Sequence, residues 1–452
     1  MRIELRYGEA ALPLEVPERN RPWVVHSGVV PPGTEPRREL DDALSHPFGT
    51  PPLEQLAHGK RQACIVISDN TRSSPSPLFV EGILERIAKR VPRVQVLVAT
   101  GLHAPLERSA METLIGPGLA ARCDLVSHDA RNVRDLVALG ASPRGIPVYI
   151  NRHFLGADLR ILTGVVEPHF MAGYSGGRKS VCPGIVGEKT IQFVHSPLLL
   201  ESPCADYCVL AGNPVHEEAL WVARAIGVDF IVNATLDSES KVTGIVAGDL
   251  EAAWLECVGS VSLSAQAVTS GRYDVVVTSN GGYPLDRNYY QTVKGLVAAA
   301  RIVKPGGIIV MASECRDGLG SDSFRKALQT LIKTQDLDEY VTYISKEENW
   351  IIDQWEVEML VKVLRLVSAI LVCSRGIRTE DLPLTCAEPV SSLQEGLKEA
   401  QKRLGPHVTL AVMPEGPHVI PAVRAAAIMA DSAGVSFRSR RGVTSTYEAE
   451  PR

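Results

Sequence analysis

The feature that most restricts the fold is an alternation, beginning near residue 63, of short β-branched runs with amphipathic helical stretches. ACIVISDN (63–70), VQVLVATG (94–101), CDLVSHDA (123–130) and LRILTGVVEP (159–168) are apolar, and each runs out into polar or turn residues. PLFVEGILERIAKRV (77–91) separates the first two and has a helical period. Parallel strands need long crossovers, and the crossover helices cover both faces of the sheet, so such strands read as near-continuous apolar runs. A second series starts at YDVVVTSN (273–280) and continues through GGIIVMASE (306–314), the helix SDSFRKALQTLIKT (321–334), AILVCSRG (369–376) and TLAVMPEG (409–416). The expected fold class is therefore α/β: two α/β domains with mainly parallel sheets and an interdomain active-site cleft. At 452 residues the chain is too long for one core. The expected division is an N-terminal domain over 1–268, a smaller domain over 269–425, and a C-terminal helix or tail over 426–452. FIVNATLD and VTGIVAGD read as a hairpin or sheet extension, and residues 250–270 as the helix linking the two halves.

A formal net charge of −5 gives no basic face, so nucleic acid is not an expected partner. No run approaches the roughly 18 apolar residues of a membrane span. The N-terminus alternates like a strand and has no apolar signal core, so the expected location is cytoplasmic. Nine cysteines are scattered without a paired C-x-x-C, and Cys204 and Cys208 have no second pair to complete a zinc site. Reduced thiols are the expectation.

Chemistry concentrates between Glu167 and His195, in EPHFMAGYSGGRKSVCPGIVGEKTIQFVH. His169, Lys179 and His195 surround Gly176-Gly177, where the missing Cβ lets backbone approach a ligand. A lysine here is a phosphate clamp or a nucleophile, and the two histidines are metal ligands or an acid/base pair. The string is one residue from a phosphate loop, but Arg178 replaces the required glycine, and Pro183-Gly184 breaks the helix that loop needs. HEEAL at 216–220 likewise fails the zinc-protease pattern, with Leu220 in place of the second histidine.

Asp69, Arg72, His103 and His169 each fall just past the C-terminal end of an expected strand, the edge where open α/β sheets bind ligands. Arg72 could grip a carboxylate, or close an intraloop salt bridge with Asp69. Gln291 and Lys294 in YPLDRNYYQTVKG (283–295) share a helix face, which reads either as a site wall beside Tyr290 or as a solvated surface. Trp355 reads as a pocket lid or as core.

Taken together, SDNTR (68–72), TGLH (100–103), EPHFMAGYSGGRKSVCPG (167–184) with the later His195, and YYQTVKG (289–295) resemble the nickel-pincer nucleotide-dependent lactate racemase family, which includes racemases and epimerases of other 2-hydroxyacids. His169 and Lys179 lie ten apart, and His195 follows sixteen later. The resemblance extends to Trp355. It implies a cofactor that composition could not reveal, a nickel-bearing pyridinium mononucleotide with two sulfur-bearing arms. On that resemblance Lys179 carries the thioamide tether, Asp69, Gly176 and Gly177 are the other implied cofactor-binding residues, and His195 is the nickel ligand. His103 and His169 are the implied acid/base pair; Arg72, Gln291, Lys294, Tyr290 and Trp355 the implied substrate residues. The implied partners are a small 2-hydroxyacid and the proteins that build the cofactor. The implied chemistry takes the hydroxyl proton while the α-hydrogen leaves as hydride, through a 2-ketoacid.

Ala104, where a basic residue is expected, and Ser73, where proline is expected, depart from the family pattern near the substrate end and bear on lactate as substrate. Arg287, close to Tyr290, could serve a second carboxylate or a hydroxylated tail. Alternatives are another redox isomerisation on this scaffold, such as sugar-acid epimerisation, or a non-catalytic carboxylate-binding protein. A dinucleotide enzyme lacks its G-x-G-x-x-G.

Overall fold

The computed structural model describes residues 1–17, 21–28 and 35–424. The tail expected over 426–452 lies outside them. Two six-stranded sheets carry the fold. The first runs Val242–Gly248, Phe230–Leu236, Leu159–Val165, Gln62–Ser68, Arg93–Ala99, Asp124–Ser127, and only Val242–Gly248 is antiparallel to its neighbour. The second runs Glu388–Pro389, Ala369–Cys373, Val303–Ala312, Tyr273–Ser279, Leu410–Met413, Trp23–Val24, and its pairings are all parallel.

Period-two alternation sorts the strand side chains into two cores. Ile65, Ile67, Val96, Val98 and Ile161 point to a core built with Phe79, Val80 and Ile83 of the helix Ser76–Ile87, and with Leu40 and Leu44 of the helix Pro36–Ser45. Cys64, Val66, Leu97 and Leu162 face the other way, into a larger core shared with Phe170, Tyr174 and Trp254. That larger core continues into the second half through Tyr289, Val293, Leu296 and Met311. The two halves are thus packed directly on one another, and the 167–184 loop lies at this shared core.

Strand pairing assigns the start of the chain to the second sheet, an association that a division at residue 268 leaves out. The hairpin Arg2–Tyr7 with Ala10–Glu15 buries Ile3, Leu5 and Leu14 against Val275, Val277 and Val310. Trp23–Val24 then adds a parallel edge strand beside Leu410–Met413. The linking helix is shorter than expected. It spans Ala252–Ala265, and Gln266–Thr269 is a strand paired in parallel with Ile420–Val423. Val268 and Thr269 are β-branched, which suits that pairing over a further helical turn.

Candidate active site

Gln62–Ser68 lies between Leu159–Val165 and Arg93–Ala99, so the loops leaving these three strands are neighbours. Asp69 and Arg72 leave the central strand, His103 and His169 its two flanks. Asp69 is buried and His103 exposed, and His103 Nδ1 lies 2.6 Å from Asp69 Oδ2. A carboxylate can only accept, so Nδ1 carries the proton and the imidazole presents Nε2 outward. Asp69 Oδ1 accepts from the Thr71 amide at 3.2 Å and the Thr71 hydroxyl at 2.6 Å. Burial alone raises the Asp69 carboxyl, but the bonds from His103 and Thr71 outweigh it and hold the group below its usual value. Asp69 is therefore committed to His103. The intraloop salt bridge with Arg72 does not form, and the Arg72 side chain is exposed.

The 167–184 loop is fastened from below. Ser175 Oγ donates to Val165 O at 2.8 Å, and the Trp254 indole donates to Ser175 O at 2.8 Å. Arg178 is fully buried, stacked 3.9 Å above the Trp254 ring, and donates to Ala172 O at 2.8 Å. Among the described residues its guanidinium has no carboxylate partner, and burial pulls it down to about 9. The residue that disqualified the phosphate-loop pattern is thus a structural pin. Only a short 3₁₀ turn, Gly177–Ser180, follows the glycines. Gly176 and Gly177 have φ of 71° and 50°. A Cβ would meet Asn233 Oδ1 at 2.6 Å from Gly176 and Trp254 at 2.8 Å from Gly177. The close approach at these glycines is to the protein itself.

His169 and Lys179 meet at the loop's upper side. Lys179 Nζ lies 3.1 Å from His169 Nε2, and His169 Nδ1 accepts from the Met171 and Ala172 amides, each at 3.2 Å. Burial, then Lys179, Lys294, Arg72 and His195, keep His169 well below an ordinary imidazole. Burial, then Arg178 and Arg72, pull Lys179 down to about 7.

His195 caps the helix Glu188–Val194, and its Nδ1 lies 3.0 Å from Ile191 O. The carbonyl can only accept, so Nδ1 is protonated and Nε2 has a free lone pair. Burial and Lys179 lower the imidazole to about 4, so it is neutral at ordinary pH. The His195 ring packs 5.0 Å from Trp355, whose indole donates to the Tyr290 hydroxyl at 3.1 Å. Tyr290 belongs to the helix Tyr289–Ala300, capped by Asn288 Oδ1, which accepts from the Gln291 amide at 3.0 Å. One turn along, Lys294 Nζ donates to Gln291 Oε1 at 2.6 Å and sits 5.9 Å from the Phe170 ring. Gln291 and Lys294 are half-buried and turned to the first half of the chain, which disposes of the solvated-face reading. Trp355 is half-buried. Arg287 is paired with Asp317 at 2.6 Å on the surface and is not directed at these groups.

Two supporting residues have contacts that the sequence did not signal. Asn213 caps the helix Pro214–Ile226 and donates to Met171 O at 2.9 Å, tying the His169 loop down. Glu356 is fully buried beside Lys294, with both carboxyl oxygens unpartnered, and burial raises it strongly. An asparagine before a proline is a readable cap, but its second bond spans 42 residues.

Family models for the lactate racemase N-terminal and C-terminal domains match residues 7–206 and 268–421. The lactate racemase of Thermoanaerobacterium thermosaccharolyticum is 34% identical over 424 residues, 92% of this chain and 98% of that protein. The chain belongs to the lactate racemase family. The lactate racemase of Lactiplantibacillus plantarum is 35% identical over 389 residues, covering 84% of this chain and 90% of that one. The solved structure of the T. thermosaccharolyticum lactate racemase apoprotein superposes with a TM-score of 0.87 at 32% identity, over 93% of this chain and all of that one. A Thermotoga maritima structural-genomics protein shares the fold at a TM-score of 0.60 and 16% identity, over 84% of this chain and all of that one. As a member of this family the chain is an isomerase of the racemase type. Among its described residues, no helix is long and apolar enough to cross a membrane.

Proposed function

We propose that this lactate racemase family member is a nickel-dependent racemase or epimerase of a 2-hydroxyacid, with lactate the first candidate substrate. One observation carries the reading: Asp69-oriented His103 and half-buried His169 leave the two strands flanking Asp69's own, with Lys179 against His169 and His195 offering a bare imidazole nitrogen. The family implies nickel. Among the described residues, no group of three or more His, Cys, Asp or Glu is arranged to hold a metal ion. A metal on His195 therefore takes its other ligands from a non-protein group, and a sulfur-bearing nucleotide is such a group. The residues fit it. His195 offers a bare Nε2, and Lys179 offers the side chain for a covalent tether.

When bound, the cofactor supplies a hydride acceptor; the rest of the chemistry belongs to side chains. The substrate carboxylate is held by Lys294 and Gln291, with Arg72 at the open edge, through charge-assisted bonds. His103, with Nδ1–H on Asp69, has its Nε2 lone pair ready to take the hydroxyl proton as the α-hydrogen leaves. The planar 2-ketoacid is retained between the two histidines. His169 Nε2–H donates a hydrogen bond to the carbonyl oxygen, the His169 Nδ1 being occupied by the Met171 and Ala172 amides. His103 returns its proton to that oxygen when hydrogen comes back to the opposite face. Trp355 and Tyr290 exclude water over His195.

The test is racemisation of C2-deuterated lactate by enzyme made alongside the cofactor-building proteins. Hydride transfer retains the label in both enantiomers. Washout into solvent contradicts it, and points to proton abstraction at carbon. Ser73 and Ala104 are exposed on the two loops at the substrate end. Ranking lactate against larger 2-hydroxyacids in the same assay assigns the substrate.

A further inference from the structure

The hydrogen bonds around His169 fix the protonation of its neighbour. Backbone amides can only donate, and two of them, Met171 and Ala172, point at His169 Nδ1. Nδ1 is therefore bare, and a neutral imidazole then has its proton on Nε2. Nε2 lies 3.1 Å from Lys179 Nζ. An ammonium has three donors and no acceptor, so it cannot receive this bond; an amine can. The alternative, an ammonium donating to Nε2, leaves the imidazole with no proton at all, as an anion.

The surroundings agree. The charged or titratable groups facing Lys179 and His169 are Arg178 in the same turn, Arg72 from the adjacent loop, Lys294 from the helix Tyr289–Ala300, His195 at the end of Glu188–Val194, and Cys182. Among the described residues, no carboxylate is among the groups acting most strongly on either one; Glu356 and Glu167 act on Lys294 instead. Arg178, fully buried and without a counter-ion among the described residues, is next in sequence.

We propose that in the unmodified protein Lys179 is held as an uncharged, nucleophilic amine by His169, and that acylation of Nζ is what releases His169 Nε2 to the substrate. The inference rests on Lys179 being the tether, as argued above. Thioamide formation joins Nζ to the carbon of a thiocarboxylic acid and breaks that carbon's bond to its hydroxyl. That hydroxyl leaves as water with one proton from nitrogen, and no oxidant or reductant takes part. The product nitrogen is conjugated and no longer accepts a hydrogen bond, so His169 loses its lysine partner as the cofactor is secured. The catalytic histidine is thus occupied until the enzyme is loaded.

The test uses unloaded protein and trace acetylation with acetic anhydride, read by peptide mass spectrometry from pH 5 to 10. The rate at Lys179 is expected to rise with a midpoint about 3 pH units below that of the exposed lysines, whose reference value is about 10.4. In His169→Gln the side-chain oxygen can accept from an ammonium, and the midpoint is expected to move up by about one unit or more, a tenfold smaller amine fraction at pH 7. Nitrogen NMR of His169 in the wild-type protein, which needs no variant, is expected to show the Nε2–H form. A Lys179 midpoint equal to that of the exposed lysines, or an Nδ1-protonated His169, overturns the inference. A low midpoint on a lysine that stays unmodified when the cofactor-building proteins are present keeps the amine and removes the tether.

Discussion

Asp69 Oδ2 accepts from His103 Nδ1 at 2.6 Å, while Asp69 Oδ1 is held by the Thr71 amide and hydroxyl. Because Thr71 fixes which oxygen faces inward, Asp69→Asn places its oxygen on Thr71 and its NH₂ on His103. That amide donates to Nδ1 and drives the proton to Nε2, so His103 can no longer act as a base. The expected loss in kcat is on the order of 10²–10⁴, with KM changed little. Steady-state kinetics in both directions check it.

Lys294 is half-buried and is the cation proposed to hold the substrate carboxylate. A hydrogen bond to a charged group contributes about 1.5–3 kcal/mol. Lys294→Gln is accordingly expected to raise KM by about 10- to 100-fold, at 1.4 kcal/mol per decade. Kinetics with a 2-hydroxyacid and with its alcohol analogue lacking the carboxylate separate the effects, since the analogue should be indifferent to the change.

Asn288 acts through the helix it starts. Asn288→Ala removes the acceptor of the Gln291 amide and is expected to cost about 1 kcal/mol in chemical denaturation. Fraying of that first turn also loosens Gln291, so KM should rise with stability loss. Asn288→Ser, which keeps a cap, should restore both.

His128 shows what a buried histidine does away from the site. Its Nε2 donates to Val186 O and its Nδ1 accepts from Asn151, each at 3.0 Å, and burial lowers its pKa. The unfolded chain binds that proton near pH 6.5 while the folded one does not. The stability it contributes is therefore full above that value and lost as pH falls below it. His128→Gln should flatten the acid side of the stability curve, measured as denaturation midpoint against pH, by about one proton's slope.

The sheets and the placing of Asp69, His103 and His169 were legible because parallel strands buried on both faces read as apolar runs with polar exits. Gln291 and Lys294 were legible as one helix face, but whether that face met solvent depended on the second half docking on Phe170. Arg178 was legible only as a misfit in a phosphate loop, since its use depends on Trp254, 76 residues further on. Gly176 and Gly177 suggested room for a ligand, and Asn233 and Trp254 fill that room. The first hairpin's place on the second sheet was hidden for the same reason. Packing partners more than 250 residues apart leave no mark on local periodicity.

The most direct measurement of the central claim is intact mass, peptide mapping and nickel content on protein produced together with the cofactor-building enzymes. A mass increase confined to the Lys179 peptide is expected, with about one nickel per chain from the single proposed ligand site, the nickel being lost in His195→Ala. An unmodified Lys179 and no nickel under those conditions contradict it, and leave the crevice as a carboxylate-binding site.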